Sequence, residues 1–133
     1  VASETELLGR GLAVVDGDLV LVANGLATVE GRACVHQNLG HRLQSNVGSL
    51  FWEPAAGLPL DKFIEAEMDS LSLRRLALAA VEQCEADHRV EPGRVAGVAR
   101  QAPGDTVELL LDVAPIGNFD PLALVVPLAL GAL

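Results

Sequence analysis

The last third of the chain constrains the fold most, because it holds three β-type runs separated by links of turn length. Val95 to Arg100, with Val90 ahead of it, reads as a first run weakened by Pro92 and Gly93. Ala102-Pro103-Gly104-Asp105 supplies turn chemistry, and Thr106 to Val113 follows as the cleanest strand in the chain. Pro115 to Asp120 makes another turn before the very apolar run Leu122 to Leu130. Consecutive strands with such short connections predict an antiparallel meander. Leu109, Leu110 and Leu111 are continuous, so both faces of the middle strand are expected to be covered.

The part before Val90 follows a different period. Residues 1–15 read as a lead-in, loose over the first twelve, and residues 16–133 as one domain. Asp16-Gly17-Asp18 and Asn24-Gly25 bracket a short extended segment, Leu19 to Val22. From about Leu26 to Gln44 the period is helical: Leu26, Val29, Ala33, His36, Gly40 and Leu43 share one face, with Leu39 beside them. Gly31 and Gly40 weaken that helix by about 1 kcal/mol each relative to Ala, and small residues there suit close approach of another backbone. Gly48 suits a helix stop. After a compact loop, Asp61 is placed to cap a short helix, Lys62–Glu67. Ser70 or Ser72 is placed to cap a longer one, from about Leu73 to Asp87, with Leu73, Leu76, Ala77, Ala80, Val81 and Cys84 on its apolar stripe. The expected fold class is α+β, N-terminal helices packed on a C-terminal three-stranded antiparallel sheet. No internal repeat stands out.

Composition argues against several functions. Half of the chain is apolar but only 3% is aromatic, with no Tyr, so Leu, Val and Ala must build the core. Base stacking needs aromatic platforms, and Phe51, Trp52, Phe63 and Phe119 are too few and scattered. Nine basic residues against eighteen acidic ones, a net charge of −9, offer no phosphate-binding cluster beyond the pair Arg74-Arg75. Nucleic acid is therefore not an expected partner. Nor is a membrane, since the apolar run Leu122–Leu133 is short and broken by Pro127. Ser3, Glu4 and Glu6 occupy the place of a basic signal-peptide n-region.

Candidate chemistry is sparse. Glu53 lies between Trp52 and Pro54, where an apolar wall would raise its pKa and suit it to general-acid work. Asp61 or Asp69 would then be the second carboxylate of a glycosidase pair, but sugar sites usually add aromatic platforms that this chain lacks. His36 and His41 are five apart, on different parts of a helix surface, while Glu85 and His88 are only two ligands, so no metal site is expected. Cys34 and Cys84 both fall in helical text and read as buried free thiols or, alternatively, a helix–helix disulfide. Neither has a basic neighbour in sequence that would activate it, there is no GxSxG, and Gly9-Arg10-Gly11 is not preceded by the strand a phosphate loop requires. The expectation is no enzyme and no cofactor.

The stretch from Asp16 to Leu60 is similar to the baseplate wedge family of contractile phage tails, particularly its phage Mu-like branch. Relatives occur in T-even phage wedges and type VI secretion baseplates, and one is a bacterial anti-adaptor. The resemblance rests on Gln37, Leu39, Arg42, Leu43, Gly48, Leu50, Trp52, Glu53, Pro54, Gly57 and Leu60, with a looser match over "ALAAVEQCEADHRVEPGRV". Much of the family reads Glu-Pro-Arg at the turn; here Ala55 follows Glu53-Pro54. The resemblance implies a structural subunit that contacts other wedge proteins and the tail sheath protein and helps initiate sheath assembly. It implies multiple copies in a six-fold assembly, built in the host cytoplasm and located in the virion tail baseplate. A protein-binding regulator of the anti-adaptor kind is the alternative, and a peptidoglycan hydrolase the third reading. Trp52, Glu53, Pro54, Gly57, Arg42 and Gln37 are the motif and interface candidates. Leu122, Leu124 and Val126 form a candidate edge for strand addition, if the last strand lies at the margin of the sheet.

Overall fold

The computed structural model describes residues 3–15, 18–23, 25–60, 69–103, 106–117 and 119–129. Its last third is the expected meander. β7 (Val90–Ala102), β8 (Thr106–Pro115) and β9 (Leu122–Ala129) form an antiparallel sheet in the order β7-β8-β9. The register slips between Val90 and Val95, where Pro92 and Gly93 had weakened the run. Glu85 closes that irregularity, its carboxylate accepting from the Gly93 amide at 2.8 Å.

One face of the sheet is buried. Val107, Leu109, Leu111 and Val113 of β8 line up with Leu124, Val126 and Leu128 of β9 against the helices. Leu110 is only half-buried. The continuous leucines thus obey strand alternation, and the expectation of a middle strand covered on both faces is corrected. Helices α2 (Arg32–Leu43) and α3 (Ser70–Glu85) cover the buried face. Val35, Leu39 and Leu43 of α2 and Leu76, Ala80 and Cys84 of α3 complete the core. Fully burying one such Leu contributes about 1.5–3 kcal/mol. The α+β class, with helices on a C-terminal three-stranded antiparallel sheet, holds.

The helix starts differ from expectation. Asp69, not Ser70 or Ser72, caps α3, accepting from the Ser72 amide at 2.8 Å. Helix α2 begins at Arg32 rather than near Leu26. Its N-cap is Gly31, held at φ 62° with its amide on the Gly9 carbonyl at 2.9 Å. Gly31 has no side chain to cap with, so Glu4 does it from afar: its carboxylate accepts from Arg32 N at 2.7 Å and Nε at 3.0 Å. A Cβ on Gly31 would stand 2.7 Å from that carboxylate oxygen. The helix expected over Lys62–Glu67 lies outside the described residues.

The lead-in is part of the fold. Ser3 and Glu6 form a capping box on α1 (Glu4–Leu8), and Leu8 is fully buried. Residues 10–30 then build three small antiparallel strand pairs. β1 (Arg10–Leu12) lies beside β6 (Thr28–Glu30), β2 (Val14–Val15) beside β3 (Asp18–Leu19), and β4 (Leu21–Val22) beside β5 (Gly25–Leu26). The pairs meet where Ala13 N donates to Ala27 O at 2.9 Å and Ala27 N to Val20 O at 2.8 Å. A repeat is present after all: Leu21 pairs with Leu26 as Val14 does with Leu19, each seven residues further on. At seven residues it is too short to stand out as sequence.

Candidate functional site

The loop after α2 folds back on itself and is fastened to both helices. Leu58 N donates to Ser45 O at 2.9 Å and Val47 N to Leu58 O at 2.8 Å, closing its mouth. Within it, Gly48 N donates to Pro54 O at 3.0 Å, Glu53 N to Leu50 O at 3.2 Å, and Ala56 N to Glu53 O at 3.0 Å. Ala56, Leu58 and Leu60 are buried. Gly57 must be glycine: at φ 110° an added Cβ would meet the Ser45 carbonyl oxygen at 2.5 Å.

Gln83 of α3 is the fastener. Its Oε1 accepts from Arg42 Nε at 2.9 Å and Gly57 N at 3.0 Å, while its Nε2 donates to Ala55 O at 3.2 Å. Arg42, thus oriented, reaches Glu53 Oε1 with Nη1 at 3.2 Å. The structure therefore brings Arg42, Glu53, Pro54 and Gly57 into one corner. Trp52 stands out from it, 67% exposed, edge-on to Phe51 at 4.9 Å, and Phe51 is 87% exposed. Gln37 is elsewhere. Five residues earlier on α2, it holds the strand pairs of residues 10–30, accepting from Val14 N at 2.9 Å and donating to Leu12 O at 2.7 Å.

This geometry corrects the acid reading of Glu53. The carboxylate pairs with the Arg42 guanidinium and is half exposed instead of walled in by Trp52. Its expected partner Asp69 is occupied as the α3 cap, where the Ser72 backbone hydrogen bond lowers its pKa. Asp61 lies outside the described residues.

Across an open cleft of about 560 Å³ from Trp52 and Arg42 stands a second ion pair. Asp87 and Arg89 are joined twice, Nη2 to Oδ2 at 2.7 Å and Nε to Oδ1 at 3.0 Å. Arg89 Nη1 also donates to the Leu8 carbonyl at 3.1 Å, tying the end of α1 to the turn between α3 and β7. With its amide oxygen toward the guanidinium, Asn38 accepts from Arg89 Nη2 at 3.2 Å. Burial opposes ionisation of Asp87, but the side-chain and backbone hydrogen bonds from Arg89 outweigh it and lower its pKa. The hydrogen bond to Asp87 raises that of Arg89.

Both thiols are buried and free. Burial pushes Cys84 up to about 12, an inert thiol. Cys34 does have a basic neighbour, Arg89 Nη1 at 3.8 Å, which sequence distance had hidden. Among the described residues, no group of three or more His, Cys, Asp or Glu side chains could hold a metal ion, and no helix is long and apolar enough to cross a membrane.

The place of the last strand is now settled: β9 is the sheet's margin, paired among the described residues with β8. Leu124 and Val126 point into the core and Leu122 is half-buried, so only their backbone, not their side chains, faces a would-be partner strand. Gln44 Nε2 approaches the Pro127 carbonyl at 3.4 Å, part-covering that edge. Sequence reasoning missed Gln83, Asp87 and Arg89. Gln83 carried no signal, being a polar position on an amphipathic helix. The Asp87-x-Arg89 spacing just past a helix end was a readable hint. No protein-family model and no curated protein matches the chain.

Proposed function

We propose that this chain is a structural subunit of a contractile-tail baseplate wedge, contacting neighbouring wedge proteins and the sheath protein and helping the sheath begin. The observation that carries the reading is the corner around Glu53. Residues on which the sequence resemblance rests, Arg42, Glu53, Pro54 and Gly57, converge on one rigid turn whose groups are spent on shape. Every side-chain bond of Gln83 holds backbone or Arg42 in place. A corner so fixed presents Phe51 and Trp52 to the outside at little entropic cost, as an interface anchor requires. The margin of β9 supports the same reading, since strand backbone left unpaired among the described residues is a docking site in an assembly.

Without the missing arginine after Pro54, Arg42 supplies the positive charge beside Glu53 from within the chain. The test is genetic and structural. Tails purified from a producing strain should contain the chain, and a strain lacking it should make no sheathed tails. Complete, sheathed tails formed without it would sink the proposal. Co-purification with one cytoplasmic regulator and no tail protein would favour the anti-adaptor reading instead.

A further inference from the structure

We propose that the strand pairs of residues 10–30 are a docking module that seats in an apolar groove, rimmed by Lys and Arg, on a different protein. None of the described residues between Arg10 and Glu30 is buried. Yet Leu12, Val15, Leu19, Leu21, Val22 and Leu26 are 42–78% exposed large apolar side chains within that short stretch. Two-stranded pairs of two or three residues do not sustain themselves in water. The module is held to the body mainly by Gln37 and the bond from Thr5 to Glu30 at 2.9 Å, while the Arg10–Glu30 pair at 3.4 Å lies within it. Its seven-residue repeat shows Val15 and Leu19, then Val22 and Leu26, at matching places on successive hairpins. A sequence that repeats apolar display on an unburied module is built to be covered.

Charge identifies the cover. Between Gly11 and Gly31 the sequence holds Asp16, Asp18 and Glu30 and no Lys or Arg. Arg10, the module's one base, is already paired with Glu30. A second copy would bring the same mainly acidic stretch and a further net charge of −9, so it has little to answer the remaining carboxylates. An anionic bilayer is opposed for the same reason. A protein groove with an apolar floor and basic rim satisfies both the leucines and the carboxylates. This deepens the tail reading, on which the choice of test material rests.

The experiment places a photo-crosslinking p-benzoylphenylalanine at Leu21, 78% exposed, in the full chain within purified tails, with a control at Leu78 on α3. The expected result is one crosslinked peptide of another tail protein, apolar and flanked by Lys or Arg, from Leu21 and not from Leu78. Asp18→Asn should lower its yield roughly two- to fivefold, and Val22→Asp roughly tenfold or more, with unchanged circular dichroism. Crosslinks to a second copy, to a surface without basic residues, or none at all overturn the inference while leaving the tail reading intact. So does flotation of the protein with phosphatidylcholine–phosphatidylglycerol vesicles that Val22→Asp abolishes. If purified tails lack the chain, the tail reading fails. The same variant irradiated in producing cells then decides the inference by the same peptide criterion.

Discussion

The corner at residues 45–58 and the arms at residues 10–30 are both irregular, polar-backbone segments, and they are stabilised in opposite ways. The corner has buried anchors, Gln83 of α3 holds its backbone at Ala55 and Gly57, and Arg42 of α2 reaches Glu53. The arms have backbone pairing and no buried residue among those described. One segment carries its own reason to hold shape, while the other holds shape around a surface that water should not wet. Rigid presentation and unfinished burial are two ways of preparing an interface.

Glycine substitutions give the largest separation. Gly57 and Gly25 both have positive φ, at 110° and 121°, but Gly57 faces the Ser45 carbonyl and Gly25 faces open space. Gly57→Ala should destabilise the protein by about 3 kcal/mol, and Gly25→Ala by about 1 kcal/mol, measured by urea unfolding. Equal losses would mean that the corner is no tighter than the arms.

Next come the two glutamines. Gln83→Ala leaves Arg42 Nε, the Gly57 amide and the Ala55 carbonyl without their partner and should cost about 2 kcal/mol. Gln37→Ala strands only Val14 N and Leu12 O, both near water, and should cost about 1 kcal/mol or less. Hydrogen exchange should quicken locally in β1 and β2 for Gln37→Ala, but across the corner for Gln83→Ala.

Much of this architecture was legible, and the reasons differ by region. The meander was readable because strand alternation and turn residues are local signals, and even the irregularity at Pro92-Gly93 announced itself. The helix α2 was placed too early because Leu26 and Val29 fit a helical period as well as a strand. Gly31, the true boundary, is set by a bond to Gly9 that no local pattern encodes. In the site, Glu53 and Gly57 were named from the sequence resemblance over residues 16–60. Gln83 and Arg89 were not, since their partners lie far away in sequence, 41 residues for Gln83 with Arg42 and 81 for Arg89 with Leu8.

Acid should separate the two regions further. Asp87 has its pKa lowered from 3.8 in the folded protein. Such a group adds stability that is present above the unfolded value and is lost as the pH falls through the folded one. The window therefore opens near pH 4 and extends below it. Glu4 and Asp69 shift the same way, through hydrogen bonds from the Arg32 and Ser72 backbones, so Asp87→Asn should reduce the acid loss without abolishing it. Asp87 orients Arg89, which holds the Leu8 carbonyl at the root of the arms. On acidification, exchange protection in β1 should fall before that of the amides of Gly57 and Leu58, one held by the uncharged Gln83 and the other by the Ser45 carbonyl. Simultaneous loss would show that the arms are not separately rooted.

The smallest effect on stability belongs to the residues most exposed to a partner. Leu21 is 78% exposed and Trp52 67%, so Leu21→Asp and Trp52→Ala should each change unfolding free energy by no more than about 0.5 kcal/mol. Their consequences should differ all the same. Losing Trp52 removes one aromatic from a corner that stays in place, so any docking it supports should weaken without change in the free protein. Leu21→Asp puts a charge on arms whose apolar side chains are uncovered, so it should raise the solubility of the isolated chain and lower its binding of a hydrophobic dye. A solubility gain from Trp52→Ala as large as that from Leu21→Asp would erase the distinction between a presented anchor and an uncovered face.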